Sequence, residues 1–265
     1  MAIRTIFSTV EDCAQGTYQG WCEFVRDYAP LAHRLLSHYF PSLRPEIDSA
    51  VVAVFAAANA NDNAWFKSLH FANEREFAMA FRDLVFASGR SAARLPAPKI
   101  PSQRIVALLD GLSLVQRQLF WEFFKGWTVQ EAAEMLMNAS ATAGETGKIA
   151  EERLAPFGDA AERAALVLFG IETAQSERGN DCLPWKTFNN LINGQISWAD
   201  RESAERHIST CTHCLEAFTA FQEMIWLQKG STALDKAATQ TIVGALGVRR
   251  TASRNLLGRL FSRAS

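Results

Sequence analysis

Four residues in the C-terminal part of the chain have the types and spacing to hold a metal ion. Cys182 is followed after 24 residues by His207-Ile-Ser-Thr-Cys211-Thr-His-Cys214, a C-x24-H-x3-C-x2-C pattern. Three thiols and one imidazole complete one tetrahedral Zn2+ shell, with Cys182, His207, Cys211 and Cys214 as the ligands. His207 and Cys211 are i and i+4, so they share a helix face. Cys211-x2-Cys214 suits a knuckle where that helix ends. Cys182 must return from an earlier segment, so the metal would staple two helices that bury little apolar surface unaided. His213, between the two thiols, reads as a bystander that could also replace a ligand. A shell closed by four protein donors is structural rather than catalytic. Oxidation of metal-bound thiolates releases the metal, which leaves a route open to redox control.

The elements that must position these ligands are written around them. Gly194 to Asp200 supplies a Gly-containing turn, then Ser197 as N-cap with Asp200 three residues on, close to a capping box. A helix over Trp198 to Ser209 then leads into the ligands. The two remaining cysteines, Cys13 and Cys22, read as buried or idle thiols, with a disulfide between them as the lesser alternative. Met1 to Val10 has no apolar segment of leader length. No run of 18 apolar residues offers a spanning helix. Zinc thiolates without an export signal lead to the expectation of a cytoplasmic protein.

Catalytic signatures are lacking: the chain contains no P-loop, dinucleotide glycine fingerprint, H-E-x-x-H or G-x-S-x-G. His33 and His38 flank an apolar helix segment and read as surface or core histidines, and His70 has no obvious partner. The expectation is a non-enzyme with no small-molecule substrate.

At 265 residues and 48% hydrophobic content the chain is long enough for about two domains. Helical periodicity runs over Trp21 to Phe40, Pro45 to Ala60 and Glu74 to Ser88, and strand-like alternation is missing throughout. Leu95 to Pro101 holds three prolines and reads as an extended linker. Further helices are expected over Gln103 to Leu109, Leu114 to Phe124, Val129 to Met137 and around Thr146 to Leu154. Thr128 with Glu131 forms a second capping box, giving a helix-turn-helix layout. The fold class is therefore all-α. Its expected parts are a helical domain at 15–95, a linker at 96–103, a helix-turn-helix domain at 104–170, a zinc-binding domain at 178–228 and a basic tail at 236–265.

Leu112-Ser-Leu-Val-Gln-Arg117, followed by Lys125-Gly-Trp-Thr128 and Glu131-Ala-Ala133, resembles the promoter-binding fourth domain of bacterial sigma factors of the extracytoplasmic-function group. The helices from Trp21 to Arg90 are similar, more loosely, to the second domain of such factors, which holds the polymerase clamp and opens the promoter. The Gly turn, acid-capped helix and His-x3-Cys-x2-Cys are similar to a zinc-binding anti-sigma domain. Together the likeness covers most of Trp21 to Phe221. It implies core RNA polymerase and promoter DNA as partners, with a separate sigma or anti-sigma protein as another. On the helix-turn-helix it implies Thr146, Lys148 and Arg153 as DNA-binding positions.

Charge departs from that pattern. Asp48 to Phe55 is mostly apolar where the family carries acidic and Gln residues for polymerase. The turn Met137 to Glu145 is longer than usual. Lys148 and Arg153 face Glu145, Glu151 and Glu152 on the expected recognition helix, whereas DNA-reading modules display a basic face. Either Arg82, Arg90, Arg94, Lys99 and Arg104 converge on it from elsewhere, or promoter binding is weakened. Lys236 to Ser265 has six basic residues and no acidic one, with Ala252, Leu256, Leu257, Leu260 and Phe261 on one helical face. Such a tail suits an anionic membrane, nucleic acid, an acidic partner or plain solvation. The readings left open are a sigma-like regulator controlled by its zinc domain, a degenerate sigma-like module that sequesters a partner without reading DNA, and an anti-sigma protein.

Overall fold

The computed structural model describes residues 5–94, 102–136, 140–158 and 160–249. Among them are thirteen α-helices, two short 3-10 segments and no strand, so the all-α expectation holds. No helix among the described residues is long and apolar enough to cross a membrane.

The first block is α1 (Ile6–Ala14), α2 (Tyr18–Tyr39), a 3-10 segment (Pro41–Glu46), α3 (Ile47–Ser68) and α4 (Glu74–Ala93). Its centre is Phe24, whose ring lies 5.0–6.0 Å from those of Phe55, Phe66, Phe77 and Phe81. These edge-on aromatic pairs fill the volume between α2, α3 and α4. The expected helix end at Ala60 is a real interruption: Ala60 is extended and Asn61, Asp62 and Asn63 are left-handed (φ 51°, 56° and 59°), after which α3 resumes. Asn and Asp tolerate that conformation because their short side chains bond locally.

The second block is α5 (Ser102–Ala107), α6 (Leu114–Phe124), α7 (Val129–Met135), α8 (Ser140–Leu154), a 3-10 turn (Ala155–Phe157) and α9 (Ala160–Ser176). Both its capping boxes form, Ser113 with Gln116 and Thr128 with Glu131. Two expectations are corrected here. The linker ends by Ser102, where α5 already begins, while residues 95–101 lie outside the described residues. The long turn to Glu145 is instead helical from Ser140, because Ala143 packs in a small apolar cluster with Leu119 of α6 and Ala132 of α7. Gly170 lets α9 close on α6, since a Cβ there would stand 2.7 Å from Phe124.

The third block is α10 (Trp185–Asn193), α11 (Trp198–Thr210), α12 (Thr212–Lys229) and α13 (Lys236–Ala245). Of the basic tail, residues up to 249 belong to the fold, and residues 250–265 lie outside the described residues. Helix α12 packs against α2, α4, α6, α7, α9, α10 and α11. A helix surrounded in this way is apolar on most faces, and Leu215, Phe218, Phe221, Met224 and Leu227 are all buried. The main apolar core is consequently continuous from Val10 to Val243 and joins all three blocks.

Candidate metal centre

The structure brings the four expected ligands together. One donor atom from each of Cys182, His207, Cys211 and Cys214 lies within 4.8 Å of the others. Cys182 lies in the turn before α10, where the Gly179 amide donates to its Sγ at 3.2 Å. His207 is on the last turn of α11, behind the Ser197 cap, whose Oγ accepts from the Asp200 amide as expected. Cys211 ends α11 and starts α12, in an extended conformation that turns the chain between the two helices. Cys214 then lies in the first turn of α12, buried, and accepts from the Leu183 amide at 3.3 Å.

The distances suit a single ion. Cys182 Sγ and Cys211 Sγ are 3.8 Å apart, and two thiolates at zinc–sulfur distance on a tetrahedron are about 3.8 Å apart. His207 Nε2 lies 3.1 Å from Cys214 Sγ. The two backbone amides donating to sulfur are the second-sphere contacts that orient thiolate ligands. Without an ion, burial and the neighbouring Cys211 push the Cys214 thiol up to about 12, against the lowering effect of the Leu183 amide. The donor set therefore fits a metal cation that displaces the thiol protons. His213 is a bystander: its Nδ1 faces the Ala174 carbonyl of α9 at 3.1 Å. Cys13 and Cys22 are both free, and Cys13 is fully buried with its pKa raised chiefly by burial.

Helix α12 carries the centre into a second constellation that its sequence does not announce. Two turns apart, Glu216 and Glu223 are both buried and meet Arg82 from α4 and Lys125 from the end of α6. Arg82 Nη2 is 2.8 Å from Glu216 Oε1, and Lys125 Nζ is 3.2 Å from Glu223 Oε2 and 2.9 Å from Glu122 Oε1. Trp121 Nε1 donates to Glu216 at 2.5 Å, Trp127 Nε1 donates to Glu223 at 3.1 Å, and the Tyr39 hydroxyl also donates to Glu223. Burial works against ionised Glu223, but Lys125 and Arg82 outweigh it and hold its pKa below the ordinary value. For Glu122 burial wins over Lys125 and pushes the carboxyl up to about 8.

The three expected DNA positions lie on α8, and two of them are engaged within the fold. Thr146 is fully buried, and its hydroxyl donates to the Thr142 carbonyl at 2.8 Å. Arg153 donates to the Leu108 and Asp110 carbonyls at 2.6 and 3.0 Å. Lys148 is exposed on α8. Of the arginines considered as added basic surface, Arg82 is interior and Arg90 pairs with Glu172 at 3.3 Å, because both serve packing between helices. Lys99 lies outside the described residues. Comparison with protein-family models, with curated proteins and with solved structures found no match to this chain.

Proposed function

We propose that this chain is a sigma-factor-like transcription regulator that binds core RNA polymerase and promoter DNA through its first two helical blocks. In this reading a Zn2+-binding, anti-sigma-like segment clamps those blocks. The observation that carries the reading is α12: it starts at the Cys/His cluster and buries Glu216 and Glu223 against Arg82 of one block and Lys125 of the other. Zinc is the ion proposed because three thiolates and an imidazole, closed around one point, match its ligand softness and tetrahedral geometry. When bound, zinc supplies a crosslink between the Gly179–Leu183 turn and the α11–α12 junction. His207 and Cys211 then fix the angle at which α12 enters the core. Burying the charged glutamates costs desolvation, offset by their cationic partners, so the clamp is specific for the two blocks.

The burial of Thr146 and the engagement of Arg153 support a second reading, in which the clamped protein sequesters a partner without reading DNA. One experiment separates them. Core RNA polymerase would be titrated with the zinc-loaded full chain and with a Glu216→Gln/Glu223→Gln variant, with promoter-dependent transcription as readout. The first reading expects polymerase binding by both and more transcription from the variant. Polymerase binding without transcription or salt-sensitive DNA affinity supports the second. If no form binds polymerase, both fail.

A further inference from the structure

A cavity of about 320 Å3 opens between the end of α2 and the 3-10 segment of the first block and α6, α8 and α9 of the second. Phe123, Phe124, Leu154, Leu166 and Val167 form its apolar wall, and Arg44 and Arg163 belong to its lining. We propose that it is a binding site for a small organic anion with an apolar body and one carboxylate.

Charge selects the ligand class. Among the described residues no aspartate or glutamate lines this cavity, whereas each of the other four described cavities includes at least one. The ionisable residues described in its lining are basic or neutral. Lys125 takes no part, because its ammonium turns inward to Glu122 and Glu223. His38 is held neutral: burial lowers its pKa, its Nε2 donates to the Lys125 carbonyl at 2.9 Å, and its ring stacks on Trp127 at 3.6 Å. Arg44 and Arg163 remain. Both are exposed, and among the described residues neither makes a hydrogen bond or ion pair. Arginine in this state offers a planar donor fork that matches a carboxylate.

The wall selects the rest of the molecule. A pocket with mostly apolar lining and few convergent polar groups binds ligands that bury a hydrocarbon or aromatic body and orient through one polar head. Gly126, at φ 97°, lets the α6–α7 turn pass against the His38 ring, which closes one side of the cavity. Because Arg44 comes from the first block and Arg163 from the second, a carboxylate held by both would tie the blocks together independently of the metal centre. Such a ligand would be an effector of their relative position, whatever partner the blocks serve.

The test is calorimetric titration of the zinc-loaded full chain with octanoate, beside 1-octanol as its uncharged counterpart. Saturable binding of one octanoate is expected, weakened about tenfold by Arg44→Gln and by Arg163→Gln, as expected for loss of a charge-assisted hydrogen bond. Ala164→Phe, which fills the cavity from α9, should abolish binding of both probes. Unchanged thermal melting of the two arginine variants, which alter exposed side chains, would show that they remain folded. No saturable binding overturns the proposal. So does octanoate binding that survives in the double arginine variant, or that 1-octanol equals.

Discussion

Arg82 of α4 and Glu216 of α12 form an ion pair of 2.8 Å in which the arginine side chain is 0% and the glutamate 2% exposed. The pair lies 134 residues apart in sequence. It joins the first helical block to the helix that begins at the Cys/His cluster. A pair removed this completely from water cannot be screened by salt, and its partners cannot be lost singly without stranding a charge.

Arg82→Met should therefore destabilise the protein by roughly 3–5 kcal/mol, the usual cost of leaving a buried charge uncompensated. Adding Glu216→Gln to the same chain should recover part of that loss, because the stranded carboxylate is then neutral. Urea unfolding of the two singles and the double forms a mutant cycle. Strictly additive losses would argue against direct coupling between the two side chains.

Cys214→Ser should abolish stoichiometric zinc, measured by elemental analysis after gel filtration, since loss of a ligand exceeds the roughly 10–100-fold effect of losing a second-sphere partner. His213→Ala should leave the zinc content at one per chain, because His213 faces the Ala174 carbonyl instead of the thiols. A fall in zinc for His213→Ala would show that the ligand set is different.

The contribution of Glu122 to stability should decline as pH rises from about 4.5 to about 8. The folded-state carboxyl of Glu122 titrates near 8 instead of its ordinary 4.5, so the folded chain holds a proton that the unfolded chain has released. With the native state binding more protons, this carboxyl's contribution to the unfolding free energy falls with pH from about 4.5 up to about 8. His38 acts oppositely but below its ordinary 6.5, where its lowered pKa disfavours the folded state. Comparing melts at about pH 7 and about pH 8, above the range of His38 and below the ordinary thiol value of 9.0, isolates the glutamate. Glu122→Gln should flatten that interval, and an equal slope in the variant would place the proton elsewhere.

If the second block does bind promoter DNA, Lys148→Glu should weaken that binding and reduce the salt slope by about one, as expected for a phosphate contact. Thr146→Val should leave DNA affinity unchanged, because the Thr146 hydroxyl is spent inside α8 on the Thr142 carbonyl. A fluorescence titration across a salt series checks both. Loss of affinity in Thr146→Val would require α8 to reorganise on DNA.

Local chemistry made much of the molecule legible. Thr128 with Glu131 and Ser197 before Asp200 cap the helices they were expected to cap, since a cap is settled within one turn. The break after Ala60 was visible for the same reason, in the run of short polar residues that follows it. The start of α8 was misjudged because Ala143 is drawn into helix by Leu119 and Ala132, contacts that periodicity within one segment does not contain.

By itself the sequence determined the all-helical class and the residues of the candidate metal cluster. Cys182, His207, Cys211 and Cys214 are of the right types, and three of them are so close along the chain that a helix and its end must bring them together. Only the tertiary structure decided what that cluster is attached to. Arg82, Glu122, Lys125, Glu216 and Glu223 read singly as solvated charges. Their burial follows from three helices meeting around α12, and pairing across about a hundred residues leaves no trace in the spacing of any one helix. The same convergence buried Thr146 and brought Arg44 and Arg163 to the lining of one cavity, because burial and proximity belong to the packing of faces and not to the order of residues along them.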